Sequence, residues 1–385
     1  MPGDPRPEAC RGVIQQFGVP NVIKSADLSS ASVLVVIPAH NEAASIGATL
    51  LSLRQQTRPP DEMLVVCDNC TDNTAEIAAR CGARVFVTVG NTARKAGALN
   101  QALRQVLPAL DGTDLVLLMD ADSQLSTGWI EAATAALAAE SRLGGVCGTY
   151  LGDDEKGAVR QLQRNEFVRA SRLVPRRASL WVLSGTGAMF RARVLREVAH
   201  ERGRRLPGIP GEYYHSASIT EDYEITLAVK TLGWRCLAPE GCTASTEIMP
   251  TWRHLFRQRL RWQSGTLTAL RDYGMTRVTA GNWARQVFFY VRYFSQMTCM
   301  AIIGFSMARH PGLYMPAWVA VMLFVIYLER IITVRKAGLK GIVLAILLIP
   351  EWCYGMFDGL YLIRALVNEF TGKDIAWGHL AQANV

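Results

Sequence analysis

Acidic and amide side chains follow the short apolar runs in the first part of the sequence, at residues 38–42, 68–72 and 120–122. Asp120 and Asp122 are two residues apart, so in an extended chain both carboxylates would face the same way. Carboxylate oxygens suit Mg²⁺ or Mn²⁺, and such an ion would neutralise a diphosphate. Taken alone, a solvated Asp-Ala-Asp turn is an equal alternative. Asp68, at the end of a neighbouring run, favours the metal site.

Polar residues in the same part of the sequence could hold a nucleotide. The carboxylates of Glu42 and Asp68 could accept hydrogen bonds from a nucleobase N–H or from ribose hydroxyls. Lys95 stands at the start of a predicted helix, whose N-terminal amides could hold phosphate oxygens together with the ammonium group. The alternative for Lys95 is an ordinary surface side chain.

The sequence Thr220-Glu221-Asp222 opens a stretch with helical spacing. Asp222 could act as a general base that takes a proton from an acceptor hydroxyl, which requires an ionised carboxylate within about 3 Å of that oxygen. The alternative is a helix N-cap, with the neighbouring acids favouring the helix dipole. Both roles are compatible, and the sequence alone slightly favours the cap.

Residues 251–265 can form a helix with one apolar and one basic face. The apolar side chains that share a face are Trp252, Leu255, Phe256 and Leu260, and the basic ones opposite are His254, Arg257 and Arg261. Such a helix suits the headgroup layer of a bilayer. Trp262 projects from its flank, where it could stack on a sugar ring or anchor the helix at the interface.

The elements that must position these residues alternate between strand and helix. Apolar runs at residues 33–37, 63–67, 84–89 and 115–119 predict strands. The segments between them, at 46–53, 77–80 and 96–107, have helical spacing or capping chemistry. This alternation predicts an α/β fold with a mostly parallel sheet and helices on both faces. Ligands bind at the carboxyl ends of strands in such sheets, where the polar residues occur.

Hydrophobic residues make up 50% of the 385 residues, and the excess lies after residue 286. Segments 287–307 and 313–334 are long enough to cross about 30 Å of hydrocarbon as helices. Segment 339–367 could be one kinked span or an interfacial piece followed by a short span. Basic residues at the facing ends of the last two segments and between them place that loop in the cytoplasm by the positive-inside rule: Arg330, Arg335, Lys336 and Lys340. We therefore expect an integral membrane protein with a cytoplasmic catalytic domain.

The net charge of +8 fits an anionic membrane surface or a phosphorylated substrate. No motif of a nucleic-acid-reading protein accompanies it, so a nucleic-acid partner is not expected. The 9 cysteines lack the spacing of a disulfide framework, which favours a reducing compartment. Cys67-Asp-Asn-Cys70 lacks a second pair at zinc spacing, so redox or zinc chemistry is not favoured there.

In their order along the chain, these motifs resemble those of the membrane-bound family 2 glycosyltransferases, which include the cellulose, chitin, hyaluronan and poly-N-acetylglucosamine synthases. The motifs are Pro38-x-x-Asn41-Glu42, Asp68, Lys95-Ala-Gly-Ala-Leu-Asn100, Asp120-x-Asp122, Ser184-Gly185-x-Gly187, Thr220-Glu221-Asp222 and Gln258-x-x-Arg261-Trp262. The similarity covers roughly residues 33–370. One departure is Asn69-Cys70, which stands where the family usually has Asp-Gly.

The resemblance implies a GT-A fold and an inverting transfer from a nucleotide-diphosphate sugar, usually a UDP-sugar, with Mg²⁺ or Mn²⁺. By position, Asp222 would be the base, Asp68 would contact the nucleobase, and Asp120 and Asp122 would hold the metal ion and the diphosphate. The other residues that the resemblance assigns to nucleotide-sugar binding are Glu42, Lys95, Gln258 and Arg261, and those it assigns to the acceptor are Ser184, Gly185, Glu221 and Trp262.

We expect a lead-in at residues 1–31, a GT-A catalytic domain at 32–250, an amphipathic interface region at 251–282, a C-terminal helical transmembrane region of two or three spans at 283–370, and a tail at 371–385. Two or three spans are too few for one subunit to enclose a channel for a sugar chain. The enzyme would therefore form a homo-oligomer, work with partners, or add one or a few sugars to a glycan, lipid or protein acceptor. A non-catalytic binding protein of the same fold is the alternative from another class.

Overall fold

The computed structural model describes residues 31–153, 156–172, 180–309, 317–347 and 349–372. The chain divides into two compact units. The first, which we call the sheet unit, contains described residues 31–153, 171–172 and 180–248. The second, the helical unit, contains described residues 156–170, 249–309, 317–347 and 349–372. The predicted lead-in and tail lie almost entirely outside the described residues.

Strands and helices are numbered along the whole chain. The strands are β1 (Val33–Ala39), β2 (Glu62–Cys67), β3 (Arg84–Val87), β4 (Leu115–Leu118), β5 (Ser123–Leu125), β6 (Leu143–Cys147), β7 (Thr149–Gly152), β8 (Ala188–Arg191), β9 (Arg235–Leu237) and β10 (Thr243–Thr246). The helices are α1 (Ile46–Arg54), α2 (Thr74–Arg80), α3 (Arg94–Val106), α4 (Trp129–Ala139), α5 (Ala158–Ser171), α6 (Ala192–Glu201), α7 (Glu221–Thr231), α8 (Trp252–Tyr273), α9 (Ala280–Arg309), α10 (Ala317–Thr333), α11 (Gly338–Leu347) and α12 (Ile349–Thr371).

The sheet unit is built on a 7-stranded sheet with the order β3-β2-β1-β4-β8-β6-β9. Strand β8 runs antiparallel to both of its neighbours, and the other pairs are parallel. In the parallel part, Ala39 of β1 pairs with Cys67 of β2, and Val36 pairs with Leu118 of β4. The carboxyl ends of β1, β2 and β4 therefore lie at one edge of the sheet. The predicted α/β fold is confirmed, with a mixed sheet.

The core of the sheet unit follows from the composition of its strands. Val33, Val35 and Ile37 of β1 are fully buried. A parallel strand between two neighbours is covered on both faces, which is why its sequence is an unbroken run of aliphatic residues. Burial of each such side chain contributes about 1.5–3 kcal/mol. This rigid base fixes the strand ends that carry the polar residues.

A smaller, 3-stranded sheet with the order β5-β10-β7 completes the sheet unit. Strand β5 pairs antiparallel with β10, so Ser123 faces Thr246 and Leu125 faces Ala244. This pairing brings the residues that follow β4 and β10 to the same place.

In the helical unit, helix α8 begins where the sequence predicts. Thr251 is its N-cap, and the Thr251 hydroxyl accepts a hydrogen bond from the His254 amide at 3.3 Å. Leu255 is fully buried, and the rings of Trp252 and Phe256 pack against Phe357 with centroids 5.0 and 6.0 Å apart. The predicted amphipathic helix is confirmed and continues to Tyr273.

The described helices contain no single one that is both long and apolar enough to cross a bilayer. Segment Arg335–Leu347 together with Ile349–Thr371 passes the same test as a pair that is bent by 84°. Predicted segment 287–307 lies within α9, and segment 313–334 corresponds to α10, except that residues 313–316 fall outside the described part of the chain. The number of spans stays a prediction.

Candidate active site

Lys95 lies at the centre of a charged cluster in the sheet unit. Its Nζ is 2.6 Å from Asp120 Oδ1 and 2.7 Å from Glu221 Oε1. The loss of water around the ammonium group lowers its pKa, but Asp120 and Glu221 outweigh this effect and hold the pKa well above the usual value. Lys95 is therefore charged and paired, unlike an ordinary surface lysine. We call Lys95, Asp120, Glu221 and Asp222 the lysine cluster.

Asp222 stands in the first turn of α7, next to Glu221. The N-cap of this helix is Thr220, so the expectation that Asp222 caps the helix is wrong. Its Oδ1 accepts a hydrogen bond from the Tyr223 amide at 2.8 Å. The loss of water around the carboxylate, and then the charge of Glu221, raise the pKa of Asp222 to about 6, and Lys95 opposes them. A carboxylate with such a pKa suits proton transfer near neutral pH.

Gly185 lets the lysine cluster assemble. Its carbonyl oxygen accepts a hydrogen bond from the Asp120 amide at 2.8 Å. A Cβ at this position would lie 2.8 Å from Asp120 Oδ2 and 3.0 Å from Lys95 Nζ. The neighbouring Ser184 is buried, and its hydroxyl lies 3.0 Å from Thr186 Oγ1 within the same turn. Gly185 thus contacts the cluster directly, whereas Ser184 shapes the turn.

The expectation of an extended Asp120-Ala121-Asp122 segment is wrong. Strand β4 ends at Leu118, and the motif forms a turn in which the Ser123 amide donates to the Asp120 carbonyl at 3.3 Å. The reason is the next strand, since β5 begins at Ser123 and leaves the large sheet to pair with β10. The chain must change direction between the two carboxylates.

Asp122 nevertheless belongs to a group of carboxylates. The loss of water around it, and then the charges of Asp120, Glu42 and Glu247, raise its pKa to about 7. Burial, opposed by a hydrogen bond from Ser45 Oγ at 2.7 Å, also raises the pKa of Glu42. We call Glu42, Asp120, Asp122 and Glu247 the acid cluster. Glu247 was missed in the sequence, although it follows β10 directly and so stands at a strand end.

Mutual repulsion of carboxylates favours binding of a cation. In the described part of the chain, no three His, Cys, Asp or Glu side chains form a metal site by themselves. Mg²⁺ is usually bound through one or two carboxylates together with substrate phosphates. The acid cluster could supply the carboxylate ligands of such a site.

Asp68 follows β2 and is held by donors from two loops. Its Oδ1 accepts hydrogen bonds from Thr88 Oγ1 at 2.7 Å, Asn91 Nδ2 at 2.8 Å and Asn69 Nδ2 at 3.1 Å. These contacts orient the carboxylate, so that Oδ2 is the oxygen suited to a ligand. Thr88 and Asn91 were missed in the sequence. They follow the third strand, where the same rule of polar strand ends would have found them.

Gln258, Arg261 and Trp262 lie on α8 in the helical unit. All three are partly buried, and the guanidinium carbon of Arg259 lies 4.8 Å from the centre of the Trp262 ring. The roles predicted for the three residues at the diphosphate and the acceptor stay predictions.

Comparison with known proteins agrees with the geometry of the sheet unit. Residues 34–199 match the family described as Glycosyl transferase family 2. The poly-beta-1,6-N-acetyl-D-glucosamine synthase of Staphylococcus epidermidis is 24% identical over 274 residues, which is 66% of this chain and 60% of that protein. Its counterpart in Staphylococcus aureus strain COL is 23% identical over 252 residues, 63% and 57% of the two chains. The chain thus spans about 60% of the length of the curated relatives it matches.

The mannosyltransferase PcManGT from Pyrobaculum calidifontis, solved in complex with GDP-Man and Mn²⁺, superposes with a TM-score of 0.59 at 19% identity. The superposition covers 89% of this chain and 88% of that one. This likeness supports the GT-A-like fold. The resemblance found in the sequence is confirmed for this part of the chain: residues 34–199 match glycosyl transferase family 2.

Proposed function

We propose that this chain transfers a sugar from a UDP-sugar to an acceptor hydroxyl with inversion at the anomeric carbon. The observation that carries the proposal is the lysine cluster. In it Lys95 forms ion pairs with Asp120 and Glu221, and the neighbouring Asp222 has a raised pKa. The named relatives support it, since they are poly-N-acetylglucosamine synthases and a mannosyltransferase bound to a nucleotide sugar.

A divalent ion, Mg²⁺ or Mn²⁺, fits the acid cluster. Asp120 and Asp122 would hold it, and the shared repulsion that raises the pKa of Asp122 would be relieved by the positive charge. When bound, the ion neutralises charge on the diphosphate leaving group. The Mn²⁺ in the mannosyltransferase structure supports this choice of cofactor.

The chain's own residues would carry the remaining steps. Asp68 accepts a hydrogen bond from the nucleobase and holds the donor at the end of β2. The Asp222 carboxylate takes the proton of the acceptor hydroxyl as its oxygen attacks the anomeric carbon. The nucleoside diphosphate leaves from the opposite face, which inverts the configuration. The Lys95 ammonium stabilises the negative charge that develops on the departing diphosphate.

Features of the helical unit and the names of the relatives support a proposal for the product and for the place where the enzyme acts. Polymer synthesis at the bilayer is favoured by the names of the relatives and by the basic, amphipathic α8. The basic residues around Arg335–Ala337 favour a cytoplasmic catalytic domain. Transfer of one or a few sugars to a glycan, lipid or protein acceptor is the second candidate, favoured by the small number of spans predicted from the sequence, two or three.

Purified protein incubated with radiolabelled UDP-sugars and Mn²⁺ tests the proposal. We expect UDP release that a chelator abolishes and that Asp122→Ala abolishes while the protein still folds. Glu76→Ala is the matched control, because this carboxylate is exposed on α2 and pairs only loosely with Arg80 at 3.6 Å. Sizing of the products separates the candidates, since a ladder of polymers contradicts single transfer. Folded protein that binds UDP but releases none from any UDP-sugar contradicts catalysis.

A further inference from the structure

Asn100 is a buried amide on α3, five residues after Lys95. Its Nδ2 donates to the Tyr214 carbonyl at 2.8 Å, and its Oδ1 accepts from the amides of Tyr213 and Tyr214, both at 2.9 Å. A buried amide that is paired in this way has few other geometries available to it. The segment Tyr213-Tyr214 is therefore fixed to the helix that carries Lys95.

Arg202 holds the same segment from another side. It is fully buried, and its guanidinium donates to the carbonyls of Pro207 at 2.9 Å and Tyr213 at 3.1 Å. It also forms an ion pair with Glu224, whose Oε2 lies 2.8 Å from Arg202 Nη2. Glu224 stands on α7, two residues after Asp222. The loop between α6 and α7 is thus tied to both helices that supply the lysine cluster.

The side chain of Tyr214 lies against that cluster. Tyr214 is 3% exposed and lines a cavity of about 20 Å³ with Lys95, Glu221 and Asp222. Such a volume has room for about one water molecule. Burial raises the pKa of the Tyr214 phenol well above its usual value, so the ring stays neutral. Tyr214 therefore encloses this cavity together with the charged groups.

We propose that Asn100 is a positioning residue for the transfer. By fixing Tyr214 against the lysine cluster, it holds the side chains of Lys95 and Asp222 in the arrangement that the reaction requires. This inference rests on the proposed function of that cluster. It differs from a role in folding alone, because it requires that loss of the Asn100 hydrogen bonds slows the chemical step in molecules that are still folded.

The test is turnover per folded molecule in Asn100→Ala, measured by UDP release. We expect kcat to fall about 10- to 100-fold, since small misplacements of reacting groups have effects of this order. The dissociation constant for UDP, measured by calorimetry, should change far less than kcat, because Asp68 and its partners keep their contacts. Asn100→Asp retains both accepted hydrogen bonds but places a carboxylate oxygen against the Tyr214 carbonyl where the amide donated, so its kcat should fall as well. It also carries the test if Asn100→Ala does not fold.

Gln56 provides the matched control. It is an equally buried amide, 5% exposed, that donates to the carbonyls of Ser52 at 3.0 Å and Ser126 at 2.9 Å and accepts from the Ile130 amide at 3.1 Å. Gln56→Ala should lower the thermal midpoint as much as Asn100→Ala does and leave kcat per folded molecule unchanged.

Two results overturn the inference alone: an active wild type whose Asn100 variants keep the wild-type kcat per folded molecule, or an equal loss of kcat in Gln56→Ala. A folded wild-type protein that turns over no nucleotide sugar would instead overturn the proposed function itself, and the inference with it.

Discussion

Glu351 in the helical unit is buried and Asp122 in the sheet unit is half-buried, and the surroundings of these two acidic residues are opposite. Glu351 accepts hydrogen bonds from Arg169 at 2.7 Å, Arg330 at 3.0 Å and Asn165 at 2.8 Å. The charges that act most on Asp122 are those of other carboxylates. A buried charge is costly unless it is paired. The helical unit pairs its acid internally, whereas the acid cluster is suited to a cation from outside.

The lysine cluster is intermediate between these two cases, because its acids have a cation partner within the protein but outnumber it. Lys95 is one cation shared by Asp120 and Glu221, with Asp222 beside them. This arrangement keeps the ammonium charged and leaves the Asp222 carboxylate with a pKa close to neutral pH. The difference from Glu351 indicates which charges support the structure and which are available to a reaction, and each can be tested by removing one group.

The largest effect should come from Asp222→Asn. The amide keeps the shape of the side chain but cannot take a proton, so turnover should fall by about 10² to 10⁴. The thermal midpoint should stay equal or rise, because a poorly solvated negative charge next to Glu221 is removed. UDP release and thermal unfolding measure the two quantities. A large loss of stability would show that Asp222 belongs with the structural acids such as Glu351.

The second effect, in order of size, should come from Gly185→Ala. The added Cβ would lie 2.8 Å from Asp120 Oδ2 and 3.0 Å from Lys95 Nζ, so one of these side chains must move. We expect a loss of turnover of about 10- to 100-fold. Gly128→Ala is the matched control, since nothing lies within 4 Å of its added Cβ. Equal activity of the two variants would contradict the close assembly of the lysine cluster.

Replacement of the paired acid Glu351 should lower stability and leave turnover unchanged, which is the opposite of the result expected for Asp222→Asn. Glu351→Gln leaves Arg169 and Arg330 without their shared carboxylate. We expect a loss of about 1–3 kcal/mol in the free energy of unfolding, reduced by the partial exposure of both arginines. Turnover per folded molecule should not change.

In Asp122→Asn the free energy of unfolding, measured without metal, should stay the same or rise, because the repulsion from Asp120 and Glu42 is relieved. Denaturant unfolding followed by fluorescence compares the two variants.

The sequence predicts the parts of this comparison that depend on local signals. Strands β1 to β4 appear as apolar runs, and the polar residues directly after them, such as Glu42, Asp68 and Asp120, assemble at one edge of the sheet as expected. The start of α8 was visible because Thr251 is an N-cap residue before an amphipathic run.

The other features of the site depend on contacts between residues that are far apart in the sequence. Such contacts cannot be predicted from the pattern of a short segment. The turn between Asp120 and Asp122 is imposed by the pairing of β5 with β10, more than a hundred residues later. The same pairing brings Glu247 to the acid cluster. The contact of Asn100 with Tyr213 and Tyr214 joins residues separated by 113 and 114 positions. The partners of Glu351 come from α5 and α10, so only the folded chain shows that this acid is paired.

The smallest effect concerns the pH dependence of the reaction. The ionised form of Asp222 accepts the proton, so kcat/KM should fall as the pH drops through about 6, the pKa of this group. After the loss of water, the charge of Glu221 is the main reason that this pKa is raised. Glu221→Gln removes that like charge and frees Lys95 from one of its two partners, and both changes favour the ionised carboxylate. The acidic limb of the profile should therefore move to lower pH, by less than about one unit. A limb that stays in place would mean that Glu221 acts only as a partner of Lys95, as Glu351 acts for its arginines.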